Sequence, residues 1–345
     1  MIRTLGTEQY NDPINLFQKM FVETFTTTFG LSETCLRMIP LLLPGLGIAL
    51  AARMKLWNIG AEGQFHMGAI GATGVVMFAP ESWGMWSMVP VMAMIGAIMG
   101  ALWILLPAYA RAYWGANEII TTLLLNYVAI NITLFFIYGP WKDPGSLGFP
   151  VSPSFGERAT LPMLWGRVHI GFIVAILAAV AFYLLLWHSR WGYELRIIGE
   201  SHEAANYTGI NVEYQTILVL CLAGAMAGLA GMMEVSGVIG RLQRQISPGY
   251  GYTAIIIAFL AQLNPIPLAF VAFLFGGLQV GGFTAQISGV PVTFINMIEG
   301  LILFCAVAGE FFIRYRLIFK RGKSDPEPEE STSMSPPSAR SEAGQ

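Results

Sequence analysis

Residues 168–188 read VHIGFIVAILAAVAFYLLLWH. The run holds no Asp, Glu, Lys or Arg, and as a helix rising about 1.5 Å per residue it covers the roughly 30 Å of bilayer hydrocarbon. It does not alternate polar with apolar residues, as a barrel strand would. Comparable stretches stand on either side, at about 31–52, 60–79, 86–110, 117–139, 214–239, 266–286 and 292–313, with a shorter one at about 250–263. A backbone in hydrocarbon must satisfy its own hydrogen bonds, so each run predicts a helix. The expectation is an all-α polytopic membrane protein with about nine transmembrane helices, the 250–263 run being either a short span or a re-entrant segment.

The composition agrees. Of 345 residues, 55% are apolar and 12% charged, with a mean hydropathy of +0.59. Forty charges (19 basic, 21 acidic) are few for a globule of this size, and eleven of them fall between Arg314 and Glu342. A net charge of −2 provides no basic field for nucleic acid. Cys35, Cys221 and Cys305 all sit in apolar runs, so no disulfide framework or metal cluster is encoded. The start, MIRTLGTEQYNDP, lacks the apolar core of a cleavable signal peptide.

Orientation follows from the basic residues near the helix ends. With nine crossings, one side holds Arg53, Lys55, Arg111, Arg190, Arg196 and the run Arg314, Arg316, Lys320, Arg321, Lys323. The other holds Arg3, Lys19, Lys142, Arg158, Arg167, Arg241 and Arg244. The dense cluster after the last span places the C-terminus in the cytoplasm and the N-terminus outside. This divides the chain into an extracytoplasmic segment 1–30, a membrane domain 31–313 and a cytoplasmic tail 314–345. The tail, basic and then rich in Pro, Ser and Glu, has nothing to bury and is expected to be disordered.

No energy-coupling or catalytic motif is present. Gly322-Lys323-Ser324 lacks the first P-loop glycine, since position 317 is Leu317, and follows no strand. His202-Glu203 opens like a zinc-binding HExxH, but Asn206 stands where the second imidazole is required. There is no G-x-S-x-G nucleophile elbow. Any ATP hydrolysis must come from another chain.

Polar residues at membrane depth are candidates for function because they are costly there. Asn58, Glu62, Gln64 and His66 lie in a glycine-rich stretch, with Glu62 and His66 placed i,i+4 to pair. They suggest a broken helix beside a path, or close helix packing with Glu62 at the cytoplasmic boundary. Glu118, Thr122 and Asn126 recur every four residues and share one helix face, with Asn117, Thr121, Tyr127 and Asn131 broadening the polar side. That face turns to the bundle interior or to an aqueous path. Gly224 and Gly228 have the spacing of a close helix contact, and Glu234 follows them. Farther on, Arg241, Gln243 and Arg244 belong to an interface or to the mouth of the path. Trp57, Tyr127, Tyr250 and Tyr252 could stack on a planar or sugar-like ligand, or serve as interfacial aromatics.

The 189–213 connection contains a local signature. Ser201 is a helix N-cap, Glu203 suits the positive end, and Gly209 is a stop. A helix of about two turns fits between them, either as an interfacial element without a partner or as a lever docking on another protein.

NIGAEGQ at 58–64, ANEIITTLLLNY at 116–127, GESHEAANYTGI at 199–210, GLAGMMEVSG at 228–237 and PGYGYTAIIIAFL from 248 together resemble the permease subunits of bacterial ABC importers. The group is that of ribose, branched-chain amino acid and nucleoside transporters, and the resemblance, over about 31–313, is to the nucleoside type. It implies that Glu200, Ser201, His202, Glu203, Ala204, Ala205, Tyr207 and Gly209 form a coupling helix against a separate ABC ATPase, which carries the ATP and Mg. This chain would then hold no cofactor of its own. The resemblance also implies a second, related permease, making a heterodimer, and an extracytoplasmic substrate-binding protein. Asn58, Glu62, Gln64, Asn117, Glu118, Thr122, Asn126, Gln243 and Tyr250 would lie near the substrate path. Relatives usually carry one more helix before the segment matching 11–31, so either the start is late or this chain has one span fewer.

The expectation is therefore a transport subunit of the bacterial plasma membrane importing a nucleoside or similar small polar solute by ATP-driven alternating access. The rival is an ion-coupled secondary transporter or channel using Glu62, Glu118 and Glu234.

Overall fold

The computed structural model describes residues 18–287 and scattered positions between 291 and 309. The expectations for 1–17, for most of the 292–313 span and for the 314–345 tail fall outside the described residues. Two short helical turns, Gln18–Glu23 and Thr24–Thr26, lead into α1, Thr28–Ala52. Then follow α2 (Ala61–Phe78), α3 (Met85–Trp114) and α4 (Glu118–Tyr138), and a hairpin of β1 (Met163–Trp165) and β2 (Val168–His169). The chain continues through α5 (Gly171–His188), α6 (Arg190–Glu200), α7 (His202–Tyr207), α8 (Val212–Glu234), α9 (Tyr250–Leu260) and α10 (Pro265–Ile287). Among the described residues, α1, α3, α4, α5, α8 and α10 are long and apolar enough to cross a membrane.

These helices fall on the expected apolar runs, with three differences. The 168–188 run becomes helical only at Gly171, because Val168 and His169 pair with β1. Buried His169 caps α5 by accepting the Gly171 N–H at Nδ1 (3.1 Å), and burial lowers its pKa to about 4. The 189–213 connection holds two helices, since Ser189 also caps α6 by accepting the Gly192 N–H at 3.0 Å. Finally, α9 has only 11 residues, about half a bilayer.

At the centre α8 packs against α3, α2 and α1. The approach is possible only because the contacts lack side chains. A Cβ at Gly100 would stand 2.2 Å from the Gly224 carbonyl oxygen, one at Gly228 2.3 Å from that of Gly96, and one at Gly68 2.0 Å from that of Gly228. The close pair read at Gly224 and Gly228 thus finds its complement in Gly96 and Gly100 on α3.

The two ends of the bundle are distinct. At one, residues 54–56 after α1 and the end of α3 pack with Leu186, Leu195, Ile198, Ala205 and Val212. At the other, the 139–170 connection lies over the stretch after α8: the Ser152 N–H donates to the Leu242 carbonyl (2.9 Å) and the Phe155 N–H to that of Gly240 (2.8 Å). α9 is a half-length helix lying along α1. Its first residue, Tyr250, is bonded to Arg37 of α1, and the Leu263 carbonyl beyond its end accepts from Arg53. Arg37 of α1 and Arg53, just past its end, are about 24 Å apart along the axis.

Candidate functional site

The connection from α1 to α2 returns into the bundle before it becomes helical. Trp57 stacks on Phe259 of α9 with ring centroids 5.0 Å apart, whereas Glu62 reaches the other end of α9, accepting the Gly251 N–H at 2.8 Å. The N-termini of α2 and α9 therefore meet inside the protein. Each exposes unpaired N–H groups and a positive dipole end, so the junction requires acceptors.

The residues singled out in the sequence supply them. Glu62 serves α9, as does Ser247, whose Oγ accepts from Tyr250 N–H at 2.9 Å. Asn126 of α4 accepts from Gly63 N–H (2.8 Å) while its amide donates to the Ile59 carbonyl (2.8 Å) and to Tyr252 Oη (3.2 Å). Asn58 and Gln64 pair amide to amide at 2.9 and 3.0 Å, and the Asn58 oxygen also accepts the Gly60 N–H. Asn58, Glu62, Gln64 and Asn126 are all buried. The anticipated Glu62–His66 pair is loose at 3.9 Å, since His66 bonds instead to Thr133 of α4 at 2.9 Å.

The rest of α4 follows the same division. Thr122 returns its hydroxyl to the Glu118 carbonyl (2.6 Å) and packs where a Gly60 side chain would stand. Glu118 pairs with Arg111 (3.3 Å) and accepts from Trp57 N–H (3.4 Å). Asn117 is the α4 cap, accepting from Ile119 N–H at 2.9 Å. The opposite face of α4 exposes Leu124, Tyr127, Asn131 and Phe135. Exposed Tyr127 lies within electrostatic reach of half-exposed Tyr252.

Tyr250 is fully buried against Phe65 and has no face free for stacking. Arg37 donates to its hydroxyl and lies 3.9 Å from Glu234 of α8. Above it Arg167 of the hairpin turn pairs with Glu33 at 3.0 Å. Arg37 and Glu33 carry no motif. The available signal was their charge inside an apolar run. Gln243 stands away from the junction, its backbone bridged to Val151 and its amide donating to Gln245.

At the opposite end α7 is stopped at both termini. Ser201 Oγ accepts from Ala204 N–H (3.2 Å), and Gly209, at φ +79°, donates to the Asn206 carbonyl (3.0 Å). Only Ala205 is buried. His202, Glu203, Ala204, Asn206 and Tyr207 are exposed, Tyr207 at 94%, and Glu200 and Ser201 before them are exposed too.

Comparison with known proteins gives the framework for this geometry. The chain is 37% identical over 319 residues to the glucose ABC transporter permease protein TsgB13 of Haloferax volcanii, covering 89% of this chain and 83% of the relative. It is 31% identical to the guanosine ABC transporter permease protein NupP of Bacillus subtilis, covering 84% of each. A second Bacillus subtilis protein, guanosine ABC transporter permease protein NupQ, is 26% identical, covering 78% and 88%. Residues 30–307 match the family described as "branched-chain amino acid transport system / permease component", and the chain, a multi-pass membrane subunit and not itself an enzyme, belongs to that family of ABC permeases.

Proposed function

We propose that this chain is one of two related permeases of an importer that brings a neutral polyhydroxy solute, a nucleoside or a sugar, into a prokaryotic cell across its plasma membrane. The observation that carries this reading is α7, a capped helix at one end of the bundle that presents nearly all its side chains outward. Such an element suits a separate ATPase: closure of the ATPase dimer moves α7, α6 transmits the movement, and the paired permeases re-orient. On this reading α1 to α5, α8 and α10 cross the membrane, as does α9 together with residues 240–249, and the α6–α7 end faces the cytoplasm. Two Bacillus subtilis relatives bearing the same guanosine designation support a heterodimer, and the import direction calls for an external binding protein.

Asn58, Glu62, Gln64 and Asn126 hold the two helix ends that shape the path, with Thr122 and Glu118 supporting them. The solute itself meets the exposed face carrying Trp57, Tyr127, Tyr252 and Asn131, where ring faces stack on a base or sugar and amide and phenol groups bond its hydroxyls. An amide on a lipid-facing surface would be costly, which favours a path for Asn131.

Ion-coupled transport without an ATPase fits less well. Glu33, Glu62 and Glu118 are each held by hydrogen bonds or an ion pair within the chain, and Glu234 lies 3.9 Å from Arg37. Reconstitution with the cognate partners tests the proposal. Solute uptake is expected only with ATP and the ATPase present, and uptake by this chain alone under an ion gradient would overturn it.

A further inference from the structure

We propose that Arg53 and Arg196 form a site for the phosphate of an anionic phospholipid in the leaflet at the α6–α7 end of the bundle. Arg53 follows α1 directly. Its guanidinium lies 4.1 Å above the Trp187 ring and donates from Nη2 to the Leu263 carbonyl at 3.2 Å, while its Nε is buried with no partner. The Arg53 carbonyl meets α6 so closely that a Cβ at Gly199 would stand 2.1 Å from it. Arg196, one turn before Gly199 on the same face of α6, is thereby brought beside Arg53. Burial, and then the positive charge of Arg196, make the Arg53 cation less favourable than in water.

Among the described residues no carboxylate lies within 4.0 Å of either guanidinium, the nearest on α6 in sequence being half-exposed Glu194 and exposed Glu200. Among the described residues, the ion pairs of 4.0 Å or less are Arg37–Glu234, Glu62–His66, Arg111–Glu118 and Arg167–Glu33, and neither Arg53 nor Arg196 takes part. The Trp187 face offsets part of the cost, but a half-buried guanidinium with a second, exposed one within electrostatic reach calls for an anion. Their planar forks match phosphate oxygens. The depth indicates the source. Arg53 stands at the end of α1 and Trp187 near the end of α5, with Tyr183 stacked on Trp187 at 5.5 Å, the arrangement of an aromatic belt at headgroup level. Exposed Lys55 adds a further cation nearby, and basic clusters of this kind at the cytoplasmic face select anionic lipids.

Native mass spectrometry of the purified transporter complex, titrated with phosphatidylglycerol or phosphatidylcholine, tests the site. The wild-type complex is expected to retain phosphatidylglycerol in preference to phosphatidylcholine. Arg53→Gln with Arg196→Gln should weaken that retention by about tenfold or more, the loss expected from one charge-assisted hydrogen bond. Arg196→Gln alone, a change at an exposed side chain, repeats the test should the double variant fail to fold, and Arg53→Lys with Arg196→Lys should restore part of the preference. Equal retention of the two lipids, or unchanged retention in the variants, overturns the proposal. So does stabilisation by inorganic phosphate with no lipid preference, which would mark a soluble-anion site. Loss of ATPase binding in the variants with lipid retention intact would instead assign the pair to an acidic residue of the ATPase, and overturns it too.

Discussion

The α2–α9 junction and α7 are built from the same kinds of residue, short polar side chains beside glycine at helix ends, yet they reach opposite states. At the junction each helix-end N–H group described above finds its acceptor within the chain, and Asn58, Glu62, Gln64 and Asn126 are at most 3% exposed. At α7 the caps close the helix locally, and the outward face is left unsatisfied. A region that completes its own hydrogen bonding serves as framework. One that satisfies its backbone and leaves its side chains outward suits the docking role proposed for α7. Disturbing the first should cost folding, and disturbing the second should cost coupling alone.

The largest effect is expected where the framework has no room to adjust. Gly228→Leu would drive a side chain into the Gly96 carbonyl and the α3 backbone, separating α8 from α3. Overpacking of this kind costs about 1–3 kcal/mol or more in an adaptable core, and backbone is the less yielding neighbour. Folded protein should be lost, as read by membrane expression and size-exclusion chromatography, and a monodisperse variant of normal yield would contradict the packing role.

Ala204→Arg sets the contrast. It alters an exposed residue of α7, so the melting temperature should stay within about 2 °C of wild type, a surface change of under about 0.5 kcal/mol, while ATP-driven uptake falls to background. Normal uptake would remove α7 from the ATPase interface.

Asn126→Leu tests the junction more finely. It leaves Gly63 N–H and the Ile59 carbonyl unpaired in a buried place, a loss of about 2–4 kcal/mol measurable by thermal unfolding in detergent. An unchanged melting temperature would mean that water or a shifted side chain replaces the amide, and that the junction is looser than its geometry indicates.

The smallest effect lies in the hairpin and depends on pH. The His169 imidazole titrates near 6.5 when unfolded and at about 4 when folded, through burial. Between those values the unfolded chain binds more protons, so stability falls as pH drops from about 6.5 to about 4 and levels off below. The accumulated loss is on the order of 3 kcal/mol at most. His169→Asn keeps an acceptor for Gly171 N–H without titrating, and its stability should vary less over that range. A profile as steep as wild type would place the pH response elsewhere.

Much of the fold was legible because its determinants are local. Span length, the capping residue of α7 and its glycine stop are properties of consecutive residues, and α1, α4, α8 and α10 begin and end close to where the apolar runs do. The spacing of Glu118, Thr122 and Asn126 correctly put them on one face, and Gly224 and Gly228 announced a close contact. The site was less legible. Tyr250 looks like a stacking residue and is instead the buried partner of Arg37, 213 positions away. Only one helix was expected in the 189–213 connection; α6 precedes it, with Gly192 fitting closely against the Leu185 and Leu186 carbonyls.

From the order of residues alone came a lipid-dissolved bundle, the capped short helix and the set of polar residues that lipid would not tolerate. Which way those residues turn was decided by assembly. Helical periodicity states which side chains share a face, because the backbone repeat is local. What that face meets depends on helices brought together from distant parts of the chain. Glu62 became a ligand for a helix end, and not an open carboxylate, only because Gly251, 189 residues on, lacks the side chain that would have kept α9 away.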